Sequence, residues 1–178
     1  QEHLVYLKEL KNPEGRLEKI FDKRNIRVYI DYAHTPDALS KVLYSLRKIT
    51  LGKLYIVFGC GGDRDKTKRP EMTNKALEHS DKVFITNDNP RFEDPKEIID
   101  DMIRGLDKKK LNKIVLIRDR SKAIESAIKK LETDDLLLIA GKGHENYQLI
   151  RNRKYSFSDK KIAKNILRKI WHFGQPRT

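Results

Sequence analysis

The sequence contains little cysteine and no long apolar segment. Cys60 is the only cysteine among the 178 residues, which excludes an internal disulfide bond and a zinc site built from several cysteines. No apolar run approaches the roughly 18 residues that a membrane-spanning helix requires. Residues 1–10 also lack the basic segment and apolar core of a signal peptide. We therefore expect a cytoplasmic protein without a membrane partner.

Two signatures of phosphate recognition are also missing. The glycine-rich residues 59–62 fit neither the Gly-x-x-x-x-Gly-Lys-Ser/Thr spacing of a P-loop nor the Gly-x-Gly-x-x-Gly spacing of a dinucleotide site. The 39 basic and 26 acidic residues give a net charge of +13, which by itself favours a polyanionic partner, for example a nucleotide. The lysines are nevertheless spread along the chain without an RNA- or DNA-binding motif. We therefore expect a solvated, lysine-rich surface and no nucleic-acid partner.

The length fits one compact domain, in which apolar, β-branched runs alternate with amphipathic stretches. The runs are short and nearly continuous, as in strands covered on both faces, and lie at residues 26–30, 54–58, 82–86, 114–117 and 136–140. Apolar residues at helical spacing predict helices at residues 36–49, 69–79, 95–106 and 119–131. This alternation predicts an α/β fold with a mostly parallel, doubly wound sheet.

The pattern changes at both ends of this alternating region. Residues 147–150 and 154–157 flank a polar turn and predict a hairpin, from which we expect a sixth, antiparallel strand at the sheet edge. Ser158 or Asp159 can then cap a last helix. At the other end, residues 1–10 have a helical pattern that stops at a loop signal.

Polar or glycine-containing segments follow four of the five predicted parallel strands. They are residues 31–34, 59–65, 87–91 and 141–145. Because the carboxyl ends of parallel strands meet at one edge of a sheet, ligands of such folds bind where these loops converge. We therefore expect a ligand site at this edge.

The first of these segments places a carboxylate and an imidazole, Asp31 and His34, at the end of a strand. Thr35 and Pro36 suit the cap and the first turn of the next helix. A capped strand–helix junction explains those two residues, but it does not explain His34 beside Asp31. We interpret the pair as functional.

The later segments carry charges that suit a small zwitterionic ligand. An arginine binds a carboxylate through two parallel hydrogen bonds, so Arg91 is a natural anchor for the carboxylate of an amino acid, and Arg64 adds a second guanidinium. Glu145 can hold an ammonium group. The alternatives are a turn with a surface salt bridge around Arg91 and a flexible glycine-rich turn around Glu145. Cys60 has no assured histidine partner, and we assign it no catalytic role.

Together, these motifs resemble the C-terminal domain of the Mur ligase family, and within it the MurE branch. The similar segments occur in order over nearly the whole chain, at residues 15–18, 31–39, 57–66, 88–91 and 141–145. The resemblance implies a Rossmann-like fold. It also implies that the chain is part of an ATP-dependent ligase that adds meso-diaminopimelate to UDP-MurNAc-L-Ala-D-Glu during peptidoglycan precursor synthesis.

The resemblance assigns roles to individual positions. It implies that the diamino acid contacts Arg64, Asp88, Asn89, Arg91, Gly141 and Glu145. It implies that Asp31 and His34 lie near ATP, and it supplies neither a catalytic nucleophile nor a metal ligand in this chain. ATP and Mg²⁺ are expected mainly on a central domain that residues 1–15 would end and link, with residues 16–178 forming the amino-acid-binding domain. We therefore expect the chain to fold but not to catalyse ligation alone.

Three interpretations of the function stay open: a ligase that adds diaminopimelate, a ligase of the same family that adds another diamino acid, and a stand-alone module. In the MurE branch the sequence Asp-Asn-Pro-Arg, here at residues 88–91, marks enzymes that add diaminopimelate and argues against lysine. It does not separate diaminopimelate from its thioether analogue lanthionine, which has the same two ends. A stand-alone amino-acid-binding or regulatory module is the alternative from a different class.

Overall fold

Strands and helices alternate along the chain as the apolar pattern predicts. The computed structural model describes residues 13–171, and the helix predicted for residues 1–10 lies outside them. The strands are β1 (Glu18–Lys23), β2 (Ile26–Asp31), β3 (Leu54–Phe58), β4 (Lys82–Ile85), β5 (Ile114–Leu116), β6 (Leu136–Ala140), β7 (Tyr147–Ile150) and β8 (Arg153–Ser156). The helices are α1 (Pro36–Ile49), α2 (Lys68–His79), α3 (Pro95–Ile103), the single turn α4 (Lys108–Leu111), α5 (Arg120–Lys129) and α6 (Asp159–Trp171).

Six strands form one sheet in the order β1-β2-β6-β3-β4-β5. The pairs β2–β6, β6–β3, β3–β4 and β4–β5 are parallel, and β1 runs antiparallel to β2 at one edge. The predicted mostly parallel, doubly wound sheet of six strands with one antiparallel edge strand is therefore confirmed.

The position predicted for the antiparallel edge strand was wrong. The predicted hairpin forms, but β7 and β8 pair only with each other as a separate two-stranded sheet. The edge strand is β1, which precedes β2 through a tight turn in which Arg24 and Asn25 both have positive φ, 52° and 58°. This is the backbone of the two-residue turn whose twist matches paired strands. The sequence did not indicate β1 as a strand because charged residues interrupt its apolar pattern.

Helices cover both faces of the sheet, which explains why the central strands are continuously apolar. The helices α1, α2 and α3 pack on one face, where Leu43 and Met72 contact the side of the sheet that carries Ile56 and Leu138. The helices α5 and α6 pack on the other face. Every residue of β3 and β6 is buried. Within residues 13–171, no helix is both long and apolar enough to span a bilayer.

Helix starts follow the predicted capping residues. Thr35 caps α1 by accepting a hydrogen bond from the Ala38 amide at 3.3 Å, and Pro36 opens the helix. Of the two candidates at α6, Ser158 serves as the cap, because its Oγ accepts from the Lys161 amide at 3.4 Å. Asp159 instead forms a buried ion pair with Arg120.

A fully buried ion pair joins the starts of α5 and α6. Arg120 donates from Nε to Asp159 Oδ1 at 2.8 Å and from Nη2 to Asp159 Oδ2 at 2.7 Å. Its Nη2 also donates to the carbonyl of Ala140 at 2.8 Å, and its Nη1 donates to the carbonyl of Asn87 at 3.4 Å. One guanidinium group therefore ties two helices to the segments that leave β6 and β4.

We expect Asp159→Asn to lower the free energy of unfolding by about 3 kcal/mol, because it leaves the Arg120 cation buried without its charged partner. Urea unfolding at neutral pH measures the loss. The control is Glu125→Gln, which breaks an exposed pair with Lys129 on α5 (2.6 Å) and should cost less than about 0.5 kcal/mol. Equal losses in the two variants would contradict this role for the buried pair.

Candidate functional site

A cavity of about 170 Å³ opens where the loops after β2, β3, β4 and β6 meet, at the sheet edge expected from the sequence. It is lined by Tyr32, His34, Gly59, Cys60, Gly61, Arg64, Lys68, Met72, Asp88, Asn89, Arg91, Gly141 and Glu145. All predicted site residues except Asp31 belong to this lining. The fold thus brings side chains from four separate loops around one pocket.

Three side chains form a hydrogen-bonded floor at this pocket. Lys142 is fully buried, and its Nζ donates to Asn89 Oδ1 at 2.9 Å and to Glu145 Oε2 at 3.0 Å. Asn89 Nδ2 donates to the same Glu145 oxygen at 3.0 Å. Both hydrogen bonds reach Oε2, and no residue among 13–171 donates to Oε1, so Oε1 can accept a hydrogen bond from a ligand.

Asn89 connects the loops around the floor. Its side chain is 5% exposed, and Oδ1 accepts a further hydrogen bond from the Leu149 amide at 2.9 Å. The Asn89 carbonyl accepts from the Gly62 amide at 2.9 Å. The carboxamide therefore lines the pocket while its own donors and acceptors hold Glu145, Lys142 and β7 in place.

Two guanidinium groups lie at the pocket without a carboxylate partner among the described residues. Arg91 donates from Nη1 to the carbonyl of Gly62 at 2.7 Å, and Arg64 donates from Nη1 to the carbonyl of Asp63 at 3.2 Å. Arg91 adopts φ 53°, an uncommon conformation for a residue with a side chain. Its amide donates to the Leu149 carbonyl at 3.1 Å, which stabilises this conformation. Both cations are available to a carboxylate ligand.

A second buried arginine holds the loops that carry these cations. Arg69 is fully buried and donates to both oxygens of Glu93 at 2.9 Å, to Asp101 Oδ2 at 2.9 Å and to the Gly61 carbonyl at 3.3 Å. Glu93 also accepts from the Asp63 amide at 2.5 Å. Hydrogen bonds from Arg69 lower the pKa of Glu93 to about 2. Through these hydrogen bonds, Arg69 on α2 and Glu93 join the loop after β3 to the loop after β4.

The glycines of residues 59–62 serve this loop packing. A Cβ on Gly62 would lie 1.9 Å from the Pro90 carbonyl oxygen. A Cβ on Gly59 would lie 2.2 Å from the Thr86 carbonyl oxygen. The close approach at these two positions is therefore to the neighbouring loop.

Cys60 lines the pocket but is unsuited to nucleophilic chemistry. Its side chain is 4% exposed and its Sγ lies 3.8 Å from Met72 Sδ. Burial raises the pKa of the Cys60 thiol to about 12. The thiol stays protonated at neutral pH.

Asp31 and His34 occupy different environments. Asp31 is 8% exposed, and its two oxygens accept hydrogen bonds from the amides of Leu17 at 2.6 Å and Ala33 at 2.7 Å. Its carboxylate thus orders the segment before β1 and the loop after β2. His34 is exposed at the rim, where its ring packs edge-on against Tyr32 with centroids 4.7 Å apart. Within the part of the chain that the structure describes, no group of three or more His, Cys, Asp or Glu side chains could hold a metal ion.

Sequence reasoning missed three buried cations, Lys142, Arg69 and Arg120. A signal for the two arginines exists in the sequence. Arg69 precedes Met72, Thr73 and Ala76, and Arg120 precedes Ala123, Ile124 and Ala127, at the spacing of one buried helix face. A charged residue in that register needs a buried partner. Lys142 lies in a loop and offers no such periodicity.

Because the pKa of Glu93 is low in the folded state, part of the free energy of unfolding depends on pH. Because its pKa is about 2 in the folded state and ordinarily 4.5, the stabilisation is complete above about pH 4.5 and is lost as the pH falls towards 2. We expect Glu93→Gln to remove this contribution. Urea unfolding measured between about pH 5 and about pH 2 tests it, with Glu97→Gln on the exposed side of α3 as control. If the parent and Glu93→Gln lost equal stability over this range, the assignment would be wrong.

Comparison with known proteins gives matches over most of the chain. A family model described as "Mur ligase, glutamate ligase domain" matches residues 15–143. A protein of Prochlorococcus marinus subsp. pastoris is 51% identical over 159 residues, which cover 86% of this chain and 31% of that protein. A protein of Clostridioides difficile is 48% identical over 156 residues, which cover 88% of this chain and 32% of that protein. Both are named UDP-N-acetylmuramoyl-L-alanyl-D-glutamate--2,6-diaminopimelate ligase.

Solved structures agree with these matches. One structure of a protein with the same ligase name superposes with a TM-score of 0.84 at 40% identity, and the match covers 93% of this chain and 34% of that chain. UDP-N-acetylmuramate-alanine ligase MurC from Thermotoga maritima has a TM-score of 0.59 at 18% identity, over 96% of this chain and 33% of that one, which shows the shared fold alone. The chain spans about a third of the length of the curated relatives it matches.

Proposed function

The chain belongs to the Mur ligase family, and on that premise we propose that it is the C-terminal, amino-acid-binding domain of an ATP-dependent ligase. The proposed ligase adds meso-diaminopimelate to UDP-MurNAc-L-Ala-D-Glu in peptidoglycan precursor synthesis. In this proposal residues 16–178 form the domain, and residues 1–15 are the end of a central ATPase domain and its linker. The name shared by the curated relatives supports the activity, and the third of their length that the chain spans supports the domain assignment.

One observation carries the choice of ligand: opposite charges line the same pocket. Arg64 and Arg91 supply guanidinium groups without carboxylate partners among the described residues, whereas Asp88 and Glu145 supply carboxylates. A ligand that carries carboxylates and an ammonium group complements this arrangement. Diaminopimelate has an amino-acid group at each end and fits both kinds of side chain.

The proposed roles follow from the free atoms of each side chain. Arg91 and Arg64 bind the carboxylates, and Glu145 accepts from the distal ammonium group through the oxygen that the floor leaves free. Gly141 has φ 108°, and a Cβ there would lie 3.0 Å from Asp88 Oδ2, so a glycine keeps the space beside that carboxylate open. Asn89 positions Glu145.

The chain's contribution to the reaction is to orient the amine that attacks the activated carboxyl group. Fixing a nucleophile beside its target converts a bimolecular step into an effectively unimolecular one, worth roughly 7 to 11 kcal/mol in favourable systems. ATP, when bound, supplies the phosphate that activates the glutamate carboxylate. Closure of this domain over the reacting groups would also exclude water. No side chain of the pocket needs to act as a nucleophile.

The proposed nucleotide contacts lie at the rim of the pocket. His34 is exposed there and packs edge-on against Tyr32, and the Arg16 guanidinium lies over the Tyr32 ring, 5.3 Å from its centroid. Asp31 has both oxygens bound to backbone amides, so we assign it the ordering of this rim. Residues 13–171 contain no group of three or more His, Cys, Asp or Glu side chains that could hold a metal ion, and we assign Mg²⁺ to the central domain. The use of ATP agrees with the cytoplasmic location, which stays a prediction.

We expect Arg91→Lys in the full-length ligase to weaken diaminopimelate binding about tenfold or more, because an ammonium group cannot reproduce the paired hydrogen bonds of a guanidinium. Calorimetry with ATP and the dipeptide precursor present measures the affinity. Arg153→Lys, at an exposed position of β8, is the matched control. Unchanged affinity in Arg91→Lys would remove the carboxylate anchor from the proposal.

The same titration with three ligands tests the choice of amino acid. Lysine lacks the second carboxylate and leaves one guanidinium unpaired, so we expect it to bind at least about tenfold more weakly than diaminopimelate. Lanthionine keeps both ends and is the competitor to be ranked against diaminopimelate. Lysine binding as tightly as diaminopimelate would contradict the proposed ligand.

The proposed assignment of the ATP site to a central domain gives a further expectation. The 178-residue chain alone should form no tripeptide from diaminopimelate, ATP and UDP-MurNAc-L-Ala-D-Glu, whereas the full-length ligase should form it. Chromatography of the reaction mixtures measures the product. Tripeptide formation by the chain alone would contradict the assignment of the ATP site to another domain.

A further inference from the structure

Lys142 is a buried cation at the pocket floor to which the proposed function assigns no role. A fully buried lysine is rare in proteins and needs partners for its charge. Its Nζ has three: Asn89 Oδ1 at 2.9 Å, Glu145 Oε2 at 3.0 Å and Asp88 Oδ1 at 3.9 Å. The first two distances are those of hydrogen bonds, and the third is that of an ion pair without a hydrogen bond.

Asp88 Oδ1 lies 3.9 Å from Lys142 Nζ and is counted with the floor from here on, which gives the floor two negative charges and one positive charge. Asp88 and Glu145 each carry one negative charge, and Lys142 compensates one of them. The Arg120 guanidinium lies 4.0 Å from Asp88 Oδ2, but its own charge is matched by Asp159 at 2.7 Å. One negative charge of the floor remains for a ligand.

The other ionisable groups at the pocket add no negative charge to the floor. Those in the lining are Tyr32, His34, Cys60, Arg64, Lys68 and Arg91. The Tyr147 ring also faces Lys142, with its centroid 5.8 Å from Nζ. Burial raises the pKa of Cys60 to about 12, so this thiol is uncharged at neutral pH. Arg69 lies behind the lining and is paired with Glu93 and Asp101.

The charge of the floor matters because a diamino acid has two amines with opposite tasks. One amine must lose its proton to attack, since an ammonium group has no lone pair, while the other stays bound as a cation. Nearby negative charge favours the ammonium form. Two uncompensated carboxylates would therefore oppose deprotonation of the attacking amine.

We infer that Lys142 is a positioning residue that leaves the pocket floor one net negative charge, so that the floor holds one ammonium group and the second amine can lose its proton. This inference rests on the proposed function. It assigns Lys142 a role in choosing the protonation state of the bound ligand. That role is separate from its contribution to the fold.

The test is the pH dependence of ligation by the full-length ligase and its Lys142→Met variant. Initial rates are measured between about pH 7 and about pH 10 at varied diaminopimelate concentration, with ATP and the dipeptide precursor saturating. We expect the acidic limb of the kcat profile to move to higher pH by about one unit in the variant, because the floor then favours the ammonium form. The KM for diaminopimelate should stay unchanged or fall.

A double variant and a control separate this role from folding. Lys142→Met/Asp88→Asn restores one net negative charge to the floor, and its acidic limb should return to the parental position. Lys129→Met removes an exposed lysine from α5 and should leave the profile unchanged. Thermal unfolding is measured for each variant. If Lys142→Met does not fold, the single variant Asp88→Asn decides, because it removes one negative charge from the floor and its acidic limb should move to lower pH by about one unit, whereas an unmoved limb overturns the inference.

The outcomes distinguish the two proposals. A parental enzyme that does not ligate diaminopimelate overturns the proposed function, and the role of Lys142 falls with it. An active parent whose Lys142→Met variant shows an unmoved acidic limb overturns the role of Lys142 alone, whatever the KM. A double variant whose limb stays displaced has the same consequence.

Discussion

Two buried arginines hold the irregular part of this protein in place. Arg120 pairs with Asp159 and Arg69 pairs with Glu93 and Asp101. Each guanidinium group also donates to a loop carbonyl at the carboxyl edge of the sheet, Arg120 to that of Asn87 and Arg69 to that of Gly61. A buried charge is costly unless it is paired and hydrogen-bonded. Each arginine therefore stabilises one arrangement of the helices and loops around it. The loops are held in place although they lack regular secondary structure.

The pocket follows from this arrangement. With the loops after β3 and β4 joined through Arg69 and Glu93, Asn89 can hold Glu145 and Lys142 in one hydrogen-bonded floor. Arg91 keeps an uncommon backbone conformation because β7 pairs with its amide. The guanidinium groups of Arg64 and Arg91 are thus placed at the pocket before any ligand binds, and a preorganised site loses less entropy on binding.

Much of the architecture was readable from local patterns. Continuous apolar runs identified the parallel strands, and Thr35 and Pro36 marked the start of α1. The edge strand was misplaced because a hairpin pattern shows that two strands pair with each other but does not show which edge they join. The eight residues predicted for the site come from motifs at strand ends, and the fold brings seven of them to the pocket lining, whereas Asp31 lies behind it.

The sequence by itself determined the alternation of strands and helices, the family and the loops that carry the site, because apolar periodicity and motif spacing are local properties. The tertiary structure alone decided which charges are paired. Arg120 and Asp159 are 39 residues apart, and Lys142 and Asn89 are 53 residues apart. Their energies depend on burial and on distances of about 3 Å between groups that the chain brings together only after folding.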